Sequence, residues 1–588
     1  MLRERVFRRA LRSRPTTILA PMLSKKPEST PTDPREGALA KTLGLPNLVA
    51  RVLLARGLDT PEKVRAFLKP DLGSLHDPFA FTDMQKAVDR IKLALRNQET
   101  ILIHGDYDVD GISGTVLLTK FFRLLHANVK PHIPARADGY SFSRASEEAI
   151  AKWNAKLVIS VDNGTNAVDT IGRIQASGSD VIVTDHHGTG ENVAPAFAML
   201  NPRLAGAGYP DRDLAGVGVA FRLAAAIADT LTRGMLNSPE FGEFLVDAMT
   251  YTALGTVADV APLCGENRTL VWHGLRALAQ SRSPGIRALL DSAGLSNRSP
   301  DVEDIAFRIA PLINAAGRVG HALDAAALLC APGIVEAQAA AKVLERHNEE
   351  RRKVERKLQD EAVDLAAKET GPAVVLAGDD WHPGVLGIVA ARVAETTGKP
   401  AILIAWKGDV GRGSGRCQSG IHLRNALAMC GEHLSSHGGH AAAVGLEVHR
   451  DRFAAFKEAF QQVCAAAKGG DASENSDGDA TFAEFDPNAV RRLEMLAPFG
   501  MGHRRARFAT HGVRIVGSPQ NDVRGLDLRL RLSHDGCLLP ARVIRATSRF
   551  EEFRSRPGPW RVLATPRINA RGEEGPVTLE VHSMTAAE

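Results

Sequence analysis

The sequence contains few cysteines, and they are dispersed. Six occur among 588 residues, and no two form a CxxC pair: Cys264, Cys330, Cys417, Cys430, Cys464 and Cys537. Cysteine-based zinc sites need closely spaced pairs, and disulfide frameworks are typical of short secreted chains. The pattern therefore predicts neither kind of site and favours a cytoplasmic protein, because thiols stay reduced in that compartment.

Long apolar runs and a strong net charge are also lacking. No stretch approaches the ~18 consecutive apolar residues that a membrane-spanning helix needs, so we expect no membrane association. The formal net charge is +5, and 44% of the residues are hydrophobic. This length and composition predict a globular protein of about three or four domains.

Charge of one sign dominates only at the N-terminus. Met1–Lys26 contains eight Arg or Lys residues and a single acid, Glu4, a composition that resembles an organelle transit peptide. The Pro-rich stretch Lys25–Gly37 favours another interpretation, a disordered basic tail or a translation start assigned too early. We predict a disordered tail over residues 1–40.

What the sequence does contain is a short apolar run that ends in alternating carboxylates. Ile101–Gly111 reads ILIHGDYDVDG and carries His104, Asp106, Asp108 and Asp110. Such a run is typical of a buried parallel strand whose carboxyl end opens into a ligand site. Alternate residues of an extended segment share one side, and clustered carboxylates repel one another unless a divalent cation binds. Taken alone, an Asp-rich turn that caps a helix starting near Ser113 is an equally good interpretation.

The same pattern recurs twice. Two further apolar runs, Leu157–Val161 and Val181–Thr184, end in residues with carboxylate, amide or imidazole side chains: Asp162, Asn163, Asp185, His186 and His187. Helical patterns at Val116–Leu125 and Ala167–Gln175 separate the three runs. We therefore predict a βαβαβ unit whose parallel strands bring these side chains to one place.

Four ordered motifs carry a family resemblance. HGDYDVDG, VDNGT, TDHH and GTVADVAPLCGENR, the last containing Asp259, resemble the motifs of the DHH phosphoesterase superfamily. Later segments, LAGVGVAF, NAAGRVG, WHPGVLGIVAARV, GSGR and GGH, are similar to segments of the RecJ family within it. The resemblance extends from about Leu43 to the C-terminus. It implies a single-strand-specific DNA exonuclease that works from the 5′ end, releases 5′-mononucleotides and acts in DNA repair and recombination.

The resemblance also implies an α/β fold, with a parallel-sheet DHH catalytic lobe and a smaller α/β DHHA1 lobe joined by a long helix, followed by an all-β OB-fold barrel. Sequence patterns agree, because Gly333–Thr370 is rich in helix formers, Gly469–Ala480 is polar, and short alternating segments follow. The predicted segments are a helical lead-in at 41–95, the catalytic domain at 96–331, the connecting helix at 332–370, the DHHA1 domain at 371–467, the linker at 468–480 and the barrel at 481–588.

The resemblance assigns the chemistry to two divalent cations, Mn²⁺ or Mg²⁺, which together serve phosphodiester hydrolysis. It implies that Asp162 bridges the two ions and that Asp108 binds one of them. Asp110, His186 and Asp259 are expected to bind the other. Together with His187, these five residues form the predicted catalytic set.

Five neighbouring residues have supporting roles in the same scheme. Asp106 is expected to bind metal, with His104 and Asn163 at or just behind the ligands. Asp185 is expected to order the imidazoles without touching metal. His187 either contacts a substrate phosphate or orients a ligand, and a plain hydrogen-bonded neighbour is the alternative.

Phosphate binding is expected from polar residues and Gly-rich segments: Asn314, Arg318, Arg412, Arg416, Gly438, Gly439 and His440. GRGSGR is interpreted as a loop in which backbone amides and guanidinium groups approach phosphates, and an ordinary tight turn is the alternative for each segment. Arg136 is a further candidate, although Ala135 and Ser141 stand where the family has Asn and Gly. Leu312 and Cys417 also depart from the family pattern.

In the predicted barrel, four leucines alternate with charged residues: Leu526, Leu528, Leu530 and Leu532 against Asp527, Arg529 and Arg531. We expect one buried face and one mainly basic face, which either contacts single-stranded DNA or is simply solvated. Aromatic residues for base stacking are sparse there: Phe508, Phe550, Phe553 and Trp560.

The resemblance implies a monomer that works with single-strand binding protein and a RecQ-type helicase. Two alternatives stay open at this point. One is a DHH phosphoesterase for oligonucleotides, cyclic dinucleotides or pyrophosphate, and the other is a non-catalytic DNA-binding scaffold of a replicative helicase.

Overall fold

The computed structural model describes residues 33–139, 141–190, 192–231, 233–418, 420–467, 475–522, 527–544, 546–569 and 575–587. Within these ranges the chain forms two compact units. The larger comprises Pro78–Asp259 and Gly274–Ser473, and the smaller comprises Met1–Asp77, Val260–His273 and Glu474–Glu588.

The first sheet of the larger unit is parallel throughout, with strand order β2-β1-β3-β4-β5. Its strands are β1 Ile101–His104, β2 Val129–His132, β3 Leu157–Val161, β4 Asp180–Thr184 and β5 Ala198–Leu200. Every residue of β1 and β3 is buried, as expected for central strands that helices cover on both faces. The predicted parallel α/β fold is confirmed.

The helices around this sheet begin close to the predicted positions, with one exception. Ala167–Gln175 was predicted as a helix and Val168–Ala176 is one, but the helix expected to start near Ser113 begins at Val109. The Asp108 carboxylate caps it by accepting hydrogen bonds from the backbone N–H groups of Asp110 and Gly111. The motif is therefore both a strand end and a helix cap.

The helices of the larger unit, up to the connecting helix, are the following. They are Met84–Arg96, Val109–Leu124, Arg144–Trp153, Val168–Ala176, Gly216–Ala228, Arg233–Leu236, Pro239–Ala258, Gly265–Gln280 (partly in each unit), Pro284–Ser292, Val302–Asp304, Ala310–Val319 and Ala322–Leu329, with a π-helical turn at Ile305–Ile309. The predicted connecting helix is Ile334–Ala366, which has 33 residues.

The second sheet of the larger unit is mixed, with strand order β6-β7-β8-β10-β9. Its strands are β6 Val374–Gly378, β7 Ala401–Lys407, β8 Val410–Arg416, β9 Ser436–Gly439 and β10 Ala443–His449. Helices Leu386–Thr397, Leu423–Met429 and Phe453–Ala466 accompany them. β6 and β7 are parallel, and the other pairings are antiparallel.

The interpretation of GRGSGR as a loop is wrong. These residues lie in β8, which pairs with β7 and β10 along its length. A Cβ on Gly413 would lie 2.8 Å from Ile404 Cγ1, and one on Gly415 would lie 2.7 Å from Val444 Cγ2. The glycines therefore let large neighbours pack over the strand. Gly438 and Gly439 likewise lie in edge strand β9 rather than in a turn.

In the smaller unit a β-barrel and the N-terminal helices share one apolar core. The strands are β11 Phe508–Ile515, β12 Gln520–Asn521, β13 Leu528–His534, β14 Cys537–Val543, β15 Trp560–Ile568 and β16 Val577–Ala586. Their order is β11-β15-β16-β14-β13-β12, and an additional β11–β13 pairing closes the barrel, as an OB-fold requires. Helices Pro487–Leu493 and Phe550–Ser555 flank it.

The alternation predicted for the barrel is present where the structure describes it. Leu528, Leu530 and Leu532 are buried, while Arg529 and Arg531 are exposed. Leu526 lies outside the described residues. The strand thus has one apolar face and one basic face.

The helices Pro34–Leu43, Asn47–Ala55 and Pro61–Leu68 pack into the barrel core through residues such as Leu39, Val49 and Leu53. The first of them begins inside the segment predicted as a tail, of which residues 1–32 lie outside the description. No single helix of the described residues is long and apolar enough to cross a membrane; Pro34–Leu43 and Asn47–Ala55 pass that test only together, with a 115° bend between them.

The predicted linker is only partly described, from residue 475 onwards. Asp477 and Ala480 donate backbone hydrogen bonds to the carbonyls of Arg507 and Ala509, and both residues are buried. The end of this polar segment is therefore built into the barrel.

Candidate active site

Neighbouring strand ends bring the acidic and imidazole side chains together. β1, β3 and β4 are adjacent in the sheet, so the residues that follow them emerge at one edge. Asp106 and Asp108 follow β1, Asp162 follows β3, and His186 follows β4. Asp259 reaches the same place from the end of helix Pro239–Ala258. The predicted convergence of motifs is thus present, although Asp110 arrives from a helical turn rather than from an extended segment.

Backbone amides hold the Asp110 carboxylate in place, and nearby glycines leave room for it and for Asp162. The Asp110 carboxylate accepts hydrogen bonds of 2.7 and 2.9 Å from the N–H groups of Gly216 and Val217, at the start of helix Gly216–Ala228. A Cβ on Gly255 would lie 2.5 Å from Asp110 Oδ1, and one on Gly216 would lie 2.7 Å from Asp162 Cβ. These two glycines were not predicted as site residues; the available signals were the LAGVGVAF motif, which contains Gly216, and the GTVADVAPLCGENR motif, which begins with Gly255.

Three groups of side chains have ligand atoms within 4.8 Å of one another: Asp106, Asp108 and Asp162; Asp110, His186 and Asp259; Asp162, His186 and His187. Asp162 belongs to two of these groups. His186 Nε2 lies 3.0 Å from Asp162 Oδ1, 3.7 Å from Asp259 Oδ2 and 3.8 Å from Asp110 Oδ2. Carboxylate oxygens and imidazole nitrogens are ligands that Mn²⁺ and Mg²⁺ sites use.

The electrostatics of the cluster favour a bound cation. Burial, then the neighbouring Asp108, raises the pKa of Asp106 to about 8 and that of Asp110 to about 7. Burial and Asp110 raise the pKa of Asp259 to about 8 and push that of Asp162 well above its ordinary value. Four acids that resist ionisation together are stabilised as carboxylates by a divalent ion at their centre.

Unsatisfied polar atoms support the same conclusion. Asp106 Oδ1 and both ring nitrogens of His186 are buried and make no well-aligned hydrogen bond among the described residues, although His186 Nε2 lies 3.0 Å from Asp162 Oδ1. Burial and His187 lower the pKa of His186 to about 3, so its imidazole is neutral and can act as a ligand. The residues present therefore fit a two-cation centre. Buried polar atoms without partners are costly unless an ion or water satisfies them.

Asp185 holds the His186 backbone and the His187 imidazole. Its Oδ1 accepts hydrogen bonds from the backbone N–H of His186 at 2.7 Å and from Nδ1 of His187 at 2.8 Å, and its Oδ2 accepts one from Thr165 N. Burial opposes protonation of His187, but the bond to Asp185 outweighs it and raises the pKa of His187 to about 9. His187 is therefore a cation at neutral pH, and its ring lies 6.2 Å from that of His440.

Asp162 occupies a strained backbone conformation. Its φ of 63° lies in the left-handed region, which residues other than glycine adopt rarely. The neighbouring Asn163 fixes the turn, because its side-chain amide donates to the carbonyl of Val161 at 2.8 Å and to that of His104 at 3.4 Å. His104 stacks on Phe142 at 4.1 Å, and its Nε2 lies 2.8 Å from Ser146 Oγ. Asn163 and His104 thus lie behind the acidic cluster.

Several arginines lie close to one another near the cluster. Arg318 donates to the carbonyl of Gly384 at 2.8 Å, and burial with the nearby charges of Arg136, Arg351 and Arg416 lowers its pKa to about 10. Arg136 lies 3.9 Å over the ring of Tyr107. Arg351, on the connecting helix, was not predicted. Several guanidinium groups that repel one another create a site for an anion.

The remaining predicted phosphate residues are distributed as follows. Arg416 donates to Ser414 Oγ at 2.9 Å and is half-buried, whereas Arg412 is exposed and lies 3.6 Å from Glu447. Asn314 is half-buried on helix Ala310–Val319. Gly439, at φ 125°, leaves no room for a Cβ, which would lie 2.4 Å from the Ala443 carbonyl oxygen. Next to it, the His440 N–H donates to that same oxygen.

Comparison with known proteins identifies relatives along the whole described chain. The DHH family N-terminal domain matches residues 100–253, the DHHA1 domain matches 370–466, and the RecJ OB domain matches 476–582. The single-stranded-DNA-specific exonuclease RecJ of Escherichia coli is 33% identical over 79% of this chain and 84% of its own length. The RecJ of Bacillus subtilis is 32% identical over 80% of this chain, which spans 59% of that relative.

Solved structures give the same result. The crystal structure of Thermus thermophilus RecJ with Mn²⁺ superposes with a TM-score of 0.77 at 29% identity, covering 94% of this chain and 78% of that one. The Mg²⁺ complex of the same protein gives a TM-score of 0.73 at 27% identity, covering 94% and 77%. This relative was thus solved with both of the divalent cations that the cluster of carboxylates and imidazoles fits.

Proposed function

Because the chain belongs to the RecJ family of DHH phosphoesterases, we propose that it is a metal-dependent exonuclease that removes 5′-mononucleotides from the 5′ end of single-stranded DNA. The observation that carries the proposal is the set of ligand groups that share Asp162. Two divalent cations, Mn²⁺ or Mg²⁺, would acidify the attacking water and stabilise charge on the phosphodiester. A DNA-binding scaffold would not need these ligands.

The chain's own residues prepare this centre. Asp162 is assigned as the ligand shared by both ions, Asp106 and Asp108 as ligands on one side, and Asp110, His186 and Asp259 on the other. The close approach of His186 Nε2 to three of these carboxylates supports the assignment. The neutral imidazole of His186 needs to lose no proton in order to bind an ion.

His187 and the arginines are assigned to the substrate. The hydrogen bond from Nδ1 to Asp185 keeps the His187 ring oriented and charged beside Asp162, where it can donate to a phosphate oxygen. Arg318 and Arg416, with Arg136, are assigned to the phosphates of the strand end. All three side chains are partly buried, which suits them to a narrow strand end rather than to a broad duplex surface.

The remaining features of the proposal rest on the family resemblance alone. The 5′ polarity, the role in repair and recombination, and the partners single-strand binding protein and a RecQ-type helicase are proposals of this kind, as is the monomeric state. A cytoplasmic location rests on the dispersed cysteines and stays a prediction.

The test is digestion of end-labelled single strands by the Asp162→Ala variant. We expect hydrolysis to be abolished while single-strand binding stays nearly intact, because loss of the shared ligand disturbs both ion sites at once. Asp169→Ala, an exposed aspartate of the helix that follows, is the matched control and should retain full activity.

Two outcomes would overturn the proposal. Activity of Asp162→Ala within about tenfold of wild type at saturating Mn²⁺ would remove the two-cation assignment. Rapid digestion of a blunt duplex by the wild-type protein without a helicase, or release of the label from a 3′-labelled strand first, would contradict the substrate and polarity.

A further inference from the structure

The helix that carries Asn314 and Arg318 is preceded by a π-helical turn, Ile305–Ile309. Such turns are rare and occur frequently at functional sites, because the extra residue changes which side chains face outwards. Here Ile305 and Ile309 are buried, whereas the Phe307 side chain is 77% exposed. No other large hydrophobic side chain in the described ranges is as exposed.

Phe307 lies on the same side of the helix as the phosphate-binding candidates. The accessible side chains that continue from the π-helical turn into the α-helix include Phe307, Pro311, Asn314 and Arg318, at intervals of four, three and four residues, and their shared exposure places them on one side. All four are at least partly exposed, while Ile309, Leu312, Ile313, Ala315 and Ala316 between them are buried. The accessible stripe therefore runs from Phe307 to Arg318.

One end of this stripe adjoins the carboxylate cluster. A Cβ on Gly317 would lie 2.3 Å from the carbonyl oxygen of Tyr107, which stands between Asp106 and Asp108. At 1.5 Å per residue, Phe307 lies about 16 Å farther along the axis than Arg318. A strand whose terminal phosphate is bound near Arg318 can therefore reach Phe307 only with nucleotides beyond the reacting one.

We propose that Phe307 is a stacking platform for a nucleobase of the bound single strand, at a fixed distance from the cleavage point. This inference rests on the proposed function. Exposed aromatic rings on which bases stack are one means by which proteins hold single strands without sequence preference. Arg308 supplies the adjacent cation; it donates to the carbonyl of Gly294 at 3.1 Å and lies 3.7 Å from Asp304.

The proposal gives single-strand preference a second cause. A base inside a duplex is already stacked on both faces, so it offers no free face to Phe307. A base in a single strand has a free face that can stack on Phe307. Such stacking on an aromatic side chain is favourable for any of the four bases. Phe307 thus selects unpaired DNA without reading its sequence.

The experiment is a scan with abasic sites. Single strands with one abasic nucleotide at successive positions from the 5′ end are bound to the full-length chain in the Asp162→Ala background, so that nothing is consumed. With Phe307 present, an abasic nucleotide at one position, or at either of two adjacent positions, should weaken binding roughly tenfold. With Phe307→Ala, intact strands should bind about as weakly as that abasic strand, and the position dependence should disappear.

Two further variants separate stacking from other roles. Phe307→Tyr should restore the position dependence, and Phe307→Leu, which is apolar without a ring face, should not. Val335→Ala, another exposed apolar residue of the same unit, should leave binding unchanged. In the active protein, Phe307→Ala should raise KM for long strands and leave kcat on dinucleotides unchanged.

The outcomes distinguish this inference from the proposed function. Suppose that the wild type digests single strands, but that in the Asp162→Ala background the protein with Phe307→Ala binds every abasic strand as tightly as the protein with Phe307. The stacking role is then overturned, and the exposed ring serves a protein partner instead. If the wild type digests no single strand, the proposed function itself has failed. Equal loss of kcat on dinucleotides and long strands would also overturn the inference, because Phe307 would then support the active site.

Discussion

Single glycines decide whether the carboxylates of the active site can meet. Gly255 lies in the last turn of helix Pro239–Ala258, where alanine would favour the helix by at most about 1 kcal/mol. Its Cβ would nevertheless lie 2.5 Å from Asp110 Oδ1 and 2.7 Å from Val217 Cγ1. We therefore expect Gly255→Ala to displace Asp110 without unfolding the helix.

The measurement is a Mn²⁺ titration of nuclease activity. For Gly255→Ala, the Mn²⁺ concentration at half-maximal activity should rise about tenfold or more, because misplaced ligand side chains typically cost that much affinity. Gly172→Ala, in helix Val168–Ala176 of the same lobe, is the matched control. A Cβ at this position would have its nearest neighbour, Pro195 Cγ, at 3.7 Å, which is an ordinary contact distance. An unchanged titration with Gly255→Ala would mean that Asp110 is not a ligand.

For individual residues, the sequence predicts which side chains belong to the active site better than it predicts their geometry. The acids and imidazoles were visible because each follows an apolar run, and strand order then brings them together. Gly216 and Gly255 were missed because a glycine inside a helix pattern gives no indication of what its absent side chain would touch. The start of the helix at Val109 was missed because a capping aspartate and a metal-binding aspartate have the same sequence appearance.

Among the elements, the N-terminal helices are tied to the barrel by buried polar groups, and this tie should depend on pH. Arg56 binds Asp477 at 3.0 Å, and its Nη1 lies 3.1 Å from Nδ1 of His503. His503 Nε2 lies 2.9 Å from the carbonyl oxygen of Leu496. Neutral His503 satisfies both contacts, with Nε2 donating and Nδ1 accepting. Burial and the charge of Arg56 lower its pKa to about 3.

The direction in which stability changes with pH follows from proton binding by His503. Below pH 6.5 the unfolded chain protonates this histidine and the folded chain does not, so stability falls as pH decreases from about 6.5 towards 3. Between pH 7.5 and 5.5 the loss should be about 1 kcal/mol. Hydrogen exchange of β11 and β15, measured by mass spectrometry, should show correspondingly lower protection at pH 5.5.

His503→Gln should be less stable at pH 7.5 but should lose less protection on acidification. His511→Gln, an exposed histidine of the same unit, is the control and should behave as wild type. If His503→Gln shows the same acid sensitivity as wild type, another group carries the pH dependence.

Strand and helix identities could largely be predicted, and the failures have a common cause. Buried apolar runs predicted β1, β3 and β4, and helix formers predicted Ile334–Ala366. GRGSGR was interpreted as a loop because glycine usually marks turns, but in β8 the glycines are required by Ile404, Trp406 and Val444 on neighbouring strands. A single sequence does not reveal such long-range steric demands.

At the scale of the whole molecule, the pairing of the first helices with the C-terminal barrel had no sequence signal. Leu39, Val49 and Leu53 belong to one core with Phe508 and Trp560, more than 400 positions away. Ending the chain near residue 467 would expose this apolar surface on the helices. The role of the barrel is therefore better tested in the intact chain than by truncation.

The basic face of the barrel offers that test. Arg529 and Arg531 are exposed on β13, and Arg529 stands opposite Arg542 on β14. We expect Arg529→Ala/Arg531→Ala to weaken binding of long single strands and to flatten the plot of log affinity against log salt by about 1.4, since each lost phosphate contact on a single strand removes about 0.7. Arg491→Ala/Arg492→Ala, two exposed arginines of a flanking helix, should leave this slope unchanged.

The same variants separate DNA binding by the barrel from the chemistry. Short oligonucleotides should be cut at a similar maximal rate with or without the two β13 arginines, because every assigned metal ligand lies at or before Asp259 and the assigned phosphate residues end at His440. If the salt slope does not change, the basic face is only solvated. If both short and long strands lose maximal rate equally, the barrel contributes to building the active site, and the division between a catalytic unit and a DNA-binding unit is wrong.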